Sequence, residues 1–163
     1  MFGFTDIIKL LLSAFIILPT VSIIREVGYL VVTHLFGVKS SKVTVGCGPV
    51  LFRLGVFEIR KYYFMYSWCS HTEIESNNRW VHLLIYASPI ISTIAAAVLV
   101  NSMAHAGWLQ PQGFWEQFIF YALYFLLFDV LPIYYPDGKP SNGRVVYDLL
   151  RHHQLPDFQR QSY

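Results

Sequence analysis

The amino-acid sequence predicts a small α-helical integral membrane protein. Of its 163 residues, 55% are apolar and 13% are charged, whereas an average soluble domain carries about 25% charged residues. The mean hydropathy of +0.44 supports the same interpretation. Aromatic residues make up 17% of the chain, which excludes intrinsic disorder. The net charge of +2 does not indicate binding to nucleic acid, and the length fits one membrane domain over residues 1–163.

Three apolar segments could cross a bilayer, which requires about 20 mostly apolar residues in a helix. They cover residues 7–36, 81–100 and 114–131. The first contains the adjacent charged residues Arg25 and Glu26. It also continues past Pro19 without a small-residue cleavage site, so a spanning helix is favoured over a cleaved signal peptide.

The distribution of lysine and arginine predicts the orientation, because these residues accumulate on the cytosolic side. The connection between the first two spans and the tail after the third are both rich in them, whereas residues 101–113 contain none. We therefore expect a multi-pass protein of a bacterial inner or plasma membrane, with its N-terminus outside and its C-terminus in the cytosol. The residues counted are Lys39, Lys42, Arg53, Arg60, Lys61 and Arg79 in the connection and Lys139, Arg144, Arg151 and Arg160 in the tail.

Two further elements are predicted outside the spans. Residues 42–68 contain β-branched and aromatic residues separated by glycines, which is typical of short strands. Their aromatic side chains favour a position at the membrane interface. In residues 144–155, Val145 and Leu149 share one helical face. This pattern predicts a short amphipathic helix on the cytosolic surface.

Ionisable residues at membrane depth are rare and indicate a functional site. Arg25 and Glu26 lie within the first span, and Asp137 follows the third span on a segment broken by prolines. Simpler interpretations stay open: Arg25 could extend to the interface, and Asp137-Gly138 could be an ordinary turn. Asp129 could be a helix-end carboxylate exposed to lipid headgroups.

Four motifs occur in order along most of the chain. Residues 24–38 read IREVGYLVVTHLFGV, residues 45–52 read VGCGPVLF, residues 87–92 read ASPIIS, and residues 129–138 read DVLPIYYPDG. This series resembles the site-2 protease family of intramembrane zinc metalloproteases. Its members carry His-Glu-x-Gly-His, Gly-Phe-Gly-Pro, Ala-Gly-Pro-x-x-Asn, and Asn-x-x-Pro followed by Asp-Gly. The resemblance implies a three-span core with an interfacial β-hairpin between the first and second spans. The matched positions beyond the zinc site are Gly28, Gly46, Gly48, Pro49, Pro89, Ser92, Asp129 and Gly138.

The zinc ligands of that family are largely replaced in this sequence. The two histidine positions hold Arg25 and Tyr29, while Glu26 retains the position of the general base and Asp137 that of the third ligand. Arginine cannot ligate zinc because its guanidinium stays protonated, and a catalytic zinc normally has three protein ligands. We therefore expect no zinc, no other cofactor and no catalytic residue. His82 is the best-placed substitute ligand, and we expect the other histidines to have packing or surface roles: His34, His71, His105, His152 and His153.

Arg25 is instead a candidate to replace the metal as a cation. A guanidinium can hold carboxylates by paired hydrogen bonds. We expect Arg25 to pair with Glu26, Asp137 or both, and so to join the first span to the segment after the third.

Three functions remain open at this stage. The favoured one is an inactive site-2-protease-like protein that lies in the lipid bilayer and binds a transmembrane partner, as a regulator or as a structural subunit of a membrane complex. The second is an active metalloprotease with unusual ligands, which would require Asp137 and Glu26 on one metal, with His82 as the best-placed further ligand. The third is an unrelated channel or carrier subunit, although the chain lacks the internal repeats typical of transporters.

Overall fold

The computed structural model describes residues 4–38, 41–70, 74, 78–135, 138 and 140–152, with only the backbone described at residues 4–6 and 66. Five helices and two strands form the described part. They are helix α1 (Phe4–Leu12), a π-helical turn (Ser13–Ile17), helix α2 (Leu18–Leu35), strands β1 (Lys42–Leu54) and β2 (Phe57–Ser70), and helices α3 (Arg79–His105), α4 (Gln112–Val130) and α5 (Asn142–Arg151).

Helices α1 and α2 are continuous through the π-helical turn, so Pro19 does not break the first span. Proline lacks the N–H that a regular helix uses and its ring crowds the preceding turn. Pro19 lies in the first turn of α2, directly after the wide π-helical turn. Within that turn the Ser13 hydroxyl is 2.9 Å from Gln117 Oε1 of α4. The irregular turn is therefore also a point of contact between two helices.

Two helical segments of the described chain are long and apolar enough to cross a membrane. They are Ile7–Leu35 and Arg79–His105, and about a third or less of each apolar window is buried inside the protein, at 28% and 33%. Such exposed apolar surface is expected where a helix faces lipid. The third predicted span corresponds to α4, whose 19 residues include Glu116 and Asp129. Helix α4 is not among the helices that are long and apolar enough to cross a membrane by this criterion.

The β region consists of two long antiparallel strands, and the prediction of short strands was wrong. Gly46 and Gly48 lie within β1 and do not separate strands. Both have positive φ angles, +83° and +88°, and the pairing with β2 shifts register around them. These features are typical of bulges, which bend a strand without ending it. A side chain at Gly46 would overlap the backbone of Tyr62.

The hairpin packs along the first long helix. The rings of Phe15 in the π-helical turn and Phe64 in β2 meet edge to face with centroids 4.7 Å apart. Nearer the other end of β2, the hydroxyls of Ser22 and Ser67 are hydrogen-bonded. These contacts fix β2 beside the face of α2 that carries the predicted site.

The amphipathic tail helix is present as α5, two residues earlier at its start than predicted. Ser141 caps its first turn by accepting a hydrogen bond from the N–H of Arg144 at 3.1 Å. Val145 and Leu149 are buried in a cluster with Ile85 and Tyr86 of α3. The helix ends at Arg151, and residues 153–155 of the predicted range lie outside the described residues.

Candidate functional site at the Arg25–Asp129 ion pair

A buried ion pair joins α2 to the end of α4. Arg25 Nε lies 2.6 Å from Asp129 Oδ2, and Arg25 Nη2 donates to Asp129 Oδ1 at 2.9 Å. The side chains are 16% and 2% exposed. The guanidinium also lies over the ring of Phe125, 5.4 Å from its centroid. Because a carboxylate is unfavourable in the last turn of a helix, the two-pronged contact with Arg25 compensates for the position of Asp129.

Helix α5 supplies a third member of this cluster. The amide of Asn142, the first residue of α5, donates to Asp129 Oδ1 at 2.9 Å. The approach is close because residue 143 is glycine, where a Cβ would overlap the carbonyl of Val130. The Ser141 hydroxyl donates to the carbonyl of Leu131 at 2.5 Å. The ends of α4 and α5 are therefore fixed together beneath Arg25.

The observed partner of Arg25 differs from the predicted partners. Asp129, for which exposure to headgroups was one interpretation, is almost fully buried. It accepts a hydrogen bond from Arg25 Nη2 and forms an ion pair with Arg25 Nε. Adjacent residues on a helix point about 100° apart and do not face each other, which explains why Glu26 is not the ion-pair partner. Asp137, the other predicted partner, lies outside the described residues.

Glu26 and Tyr29 point from α2 into the same region. Glu26 is buried at 6% exposure and accepts a hydrogen bond from the backbone N–H of Cys69 in β2. Tyr29, in the position of the second family histidine, is hydrogen-bonded to Tyr86 of α3, and the two rings meet edge to face with centroids 5.8 Å apart. The side chain of Glu26 is therefore held by β2 and that of Tyr29 by α3.

These residues line a cavity of about 630 Å³. Binding pockets for small ligands typically measure about 300–1,000 Å³. The charged side chains of its described lining are one cation, Arg25, and two acids, Glu26 and Asp129. Aromatic rings form much of the remaining wall: Tyr29, Trp68, Tyr124, Phe125, Phe128 and Tyr135.

Among the described residues, no three histidine, cysteine, aspartate or glutamate side chains come together in a group that could hold a metal ion. His82, the suggested substitute ligand, is buried in α3 and is not among the residues that line the cavity.

Comparisons with known proteins identify a family. No protein-family model and no solved structure matches the chain. The uncharacterized membrane protein YwmF of Bacillus subtilis (strain 168) is 34% identical over 152 residues, which cover 93% of this chain and 95% of YwmF. The chain belongs to the YwmF family. Together with its apolar helices, this relationship makes the chain a helical membrane protein.

The other motif positions of this YwmF-family protein lie partly at this site and partly elsewhere in the fold. A side chain at Gly28 would overlap Ser92 of α3, so the glycine permits the close helix approach that small residues give in membranes. Pro89 lines the cavity. Gly138 has a φ of +80°, and its N–H donates to the carbonyl of Tyr135 at 2.9 Å in a turn. Pro49 lies within the bulged part of β1.

Cys69 connects the hairpin to the cavity. Burial raises the pKa of its thiol to about 12, and the negative charge of Glu26 adds to the shift. Because this pKa lies far above physiological pH, Cys69 stays a neutral thiol. The thiolate is the reactive form of cysteine, so Cys69 is not a reactive cysteine. Cys69 therefore contributes to the site through its backbone N–H, which donates a hydrogen bond to Glu26.

A second charged cluster lies on the hairpin and was not predicted. Glu58 is 1% exposed. Lys42 Nζ lies 2.5 Å from its Oε2, Arg53 Nε lies 2.9 Å from the same oxygen, and Arg60 Nη2 lies 2.8 Å from Oε1. The hydrogen bond from Lys42, supported by those from Arg60 and Arg53, lowers the pKa of Glu58 to about 2.

Sequence reasoning also missed Asn142 and the Ser22–Ser67 contact. Asn142 had one usable signal, since it directly precedes Gly143 and the apolar pattern of the tail helix. Ser22 and Ser67 are 45 residues apart, and nothing in the sequence pairs them.

Proposed function

We propose that this YwmF-family protein is a catalytically inactive relative of the site-2 proteases that binds a transmembrane segment of another membrane protein. One observation carries the proposal. Arg25, which occupies the first histidine position of the resembling motif, is a buried cation already neutralised by Asp129. A guanidinium stays protonated and cannot ligate a metal, and here it takes the place of a zinc-ligating imidazole.

The loss of catalysis follows from the ligand chemistry. Zinc supplies a nucleophile at neutral pH by lowering the pKa of a bound water, and it requires about three protein ligands to do so. Arg25 cannot be a ligand, and Tyr29 is engaged with Tyr86. Without the metal, Glu26 has no activated water from which to remove a proton.

The proposed architecture is a three-span core in the predicted orientation. Helix α4 is the third span, with its acidic end neutralised by Arg25 inside the protein and its outward face apolar, as at Phe120, which is 62% exposed. The basic connection and tail lie in the cytosol. This orientation puts the cavity toward the cytosolic side of the membrane.

The cavity supports the binding role. It lies between α2, the hairpin and the segment that follows α4, and its wall is largely aromatic. Both strands of the described two-stranded sheet are edge strands, and an extended segment of a partner can add to an edge strand. The partner's spanning segment therefore docks at the cavity, beside the hairpin.

The metal content of the purified protein tests the inactive state. The protein is extracted in detergent without a chelator, and its zinc is measured beside an Asp137→Ala variant. We expect near-zero zinc in both. About one zinc per chain, lost in the variant, would return the protein to the metalloproteases.

Photo-cross-linking in the native membrane tests the binding role. A benzophenone amino acid replaces Phe128, which lines the cavity, or Phe120, an exposed residue of α4 outside that lining. We expect position 128, and not position 120, to capture peptides from segments apolar enough to span a bilayer. Equal capture at both positions, or capture of lipid alone, would contradict the proposal.

A further inference from the structure

The charges that line the cavity do not balance. Arg25 is neutralised by Asp129 through two contacts at 2.6 and 2.9 Å, so this pair contributes no net charge. Glu26 adds a second carboxylate at the cavity wall. Among the described residues it forms no ion pair, and its hydrogen bond comes from the neutral N–H of Cys69. With its carboxylate ionised, the described lining carries one negative charge in excess.

The aromatic wall is suited to a cation. Arginine and lysine bind favourably over aromatic faces within about 6 Å of the ring centre. The cavity wall already contains one such contact, since Arg25 lies 5.4 Å from the Phe125 centroid. Trp68, another ring of the wall, also takes a cation, Arg60, which lies outside the cavity lining and 5.4 Å from the ring centroid. Tyr124 and Phe128 supply further rings one helical turn apart, with centroids separated by 4.9 Å.

We infer that the cavity recognises a basic side chain, a lysine or arginine, carried by the partner's transmembrane segment. This inference rests on the proposed binding function and specifies the chemistry of the partner. The ammonium or guanidinium enters the 630 Å³ cavity and pairs with the Glu26 carboxylate, and its aliphatic stem contacts the aromatic rings. A basic residue is costly inside a bilayer unless it is paired, so Glu26 selects segments that carry one at the matching depth.

Synthetic spanning peptides test this selection. Three peptides differ at one position, level with Glu26, which holds lysine, norleucine or glutamate. Each is reconstituted in nanodiscs with the protein that carries the benzophenone at position 128. We expect the lysine peptide to cross-link at least tenfold more than norleucine, and glutamate least. Glu26→Gln, which keeps a hydrogen-bond acceptor for Cys69, should remove the preference, whereas Glu116→Gln, outside the cavity lining, should not.

A small-molecule probe distinguishes cation binding at Glu26 from the binding of a transmembrane segment. Butylammonium, which mimics a lysine side chain, is titrated against the detergent-solubilised protein by saturation-transfer NMR beside neutral butanol. We expect signal transfer to butylammonium, at least tenfold weaker in Glu26→Gln. If all three peptides cross-link equally and butylammonium behaves like butanol, the cation inference is wrong while segment binding stands. If butylammonium binds through Glu26 but no peptide cross-links, the proposed partner function fails and the cation site stands.

Discussion

The carboxylates of Asp129 and Glu58 are almost completely buried, at 2% and 1% exposure, and they are neutralised in different ways. Asp129, between the membrane helices, has one cation, Arg25, whose side chain is itself only 16% exposed. Glu58, on the hairpin, has three cations, and their side chains are 31–68% exposed. The first arrangement shields both charges from most of the solvent, whereas the second keeps every cation in contact with it.

The two sites differ in how strongly the buried carboxylate depends on a single cation. Breaking a buried pair leaves a charge without compensation in a low-dielectric environment, which costs about 3–5 kcal/mol. An exposed cation contributes little because water and salt screen it. The helix site therefore depends on one residue, whereas in the hairpin site any one cation can be lost while two remain.

Removal of Arg25 should have the largest effect. We expect Arg25→Ala to lower the free energy of unfolding by about 3–5 kcal/mol, because the Asp129 carboxylate stays buried and unpaired. Asn142 alone cannot neutralise it. Unfolding is measured in detergent micelles by SDS titration.

A double variant provides the control for this prediction. Asp129→Asn restores a neutral group that Asn142 can still bond. Arg25→Leu combined with Asp129→Asn should be closer in stability to the parent than Arg25→Leu alone, since no buried charge remains. An Arg25→Ala protein as stable as the parent would show that the pair does not hold α2 to α4.

The removal of Glu58 should have a smaller effect. Glu58→Gln leaves Lys42, Arg53 and Arg60 without their common anion, but these cations can turn to solvent because each is partly exposed. We expect a reduced melting temperature with the helices intact. In a background in which Trp80, Trp108 and Trp115 are replaced by phenylalanine, tryptophan fluorescence follows the hairpin through Trp68, the remaining tryptophan. Far-UV circular dichroism follows the helices. Loss of helical signal at the same temperature as in Arg25→Ala would remove the distinction between the sites.

The elements of this fold were largely predictable, because apolar length and turn chemistry act locally. Helices occur near the residues expected for the first two spans and for the tail helix, as at Val145 and Leu149. The hairpin was misjudged at Gly46 and Gly48, since glycine is common both between strands and at bulges. Whether such a glycine ends a strand or forms a bulge depends on the strand that pairs with it. Here the partner of Cys47 is Tyr62 on β2, and the pattern around Gly46 and Gly48 does not reveal that pairing.

The site was predictable in part. Arg25 was predicted to be a site cation that pairs with a carboxylate, but its partner Asp129 is 104 residues away. Arg25 pairs with Asp129 and not with Glu26 because of how α2 and α4 pack, and the sequence pattern does not contain that packing. Glu58 was missed for a related reason: Lys42, Arg53 and Arg60 surround it only after the two strands pair in register.

Acid should weaken the hairpin site in a defined range of pH. Glu58 has a pKa of about 2 in the folded protein and an ordinary value of 4.5, so its folded form binds a proton less readily than its unfolded form. Its contribution to stability is then complete above pH 4.5 and is lost as the pH falls toward 2. We expect the difference in melting temperature between the parent and Glu58→Gln to shrink over this range. A constant difference would contradict the lowered pKa.

The smallest effect should come from Arg53, the most exposed of the three cations at 68%. In Arg53→Gln, Lys42 and Arg60 still contact both oxygens of Glu58, so we expect a melting temperature close to that of the parent. Lys61→Gln is the matched control, since it removes one positive charge from the hairpin at a residue that lies over the Tyr62 ring, 5.7 Å from its centroid, and does not contact Glu58. If the two variants behave alike, the exposed cations are redundant. If Arg53→Gln destabilises the protein as strongly as Arg25→Ala, exposure does not set the strength of these pairs, and the contrast between the helix site and the hairpin site is wrong.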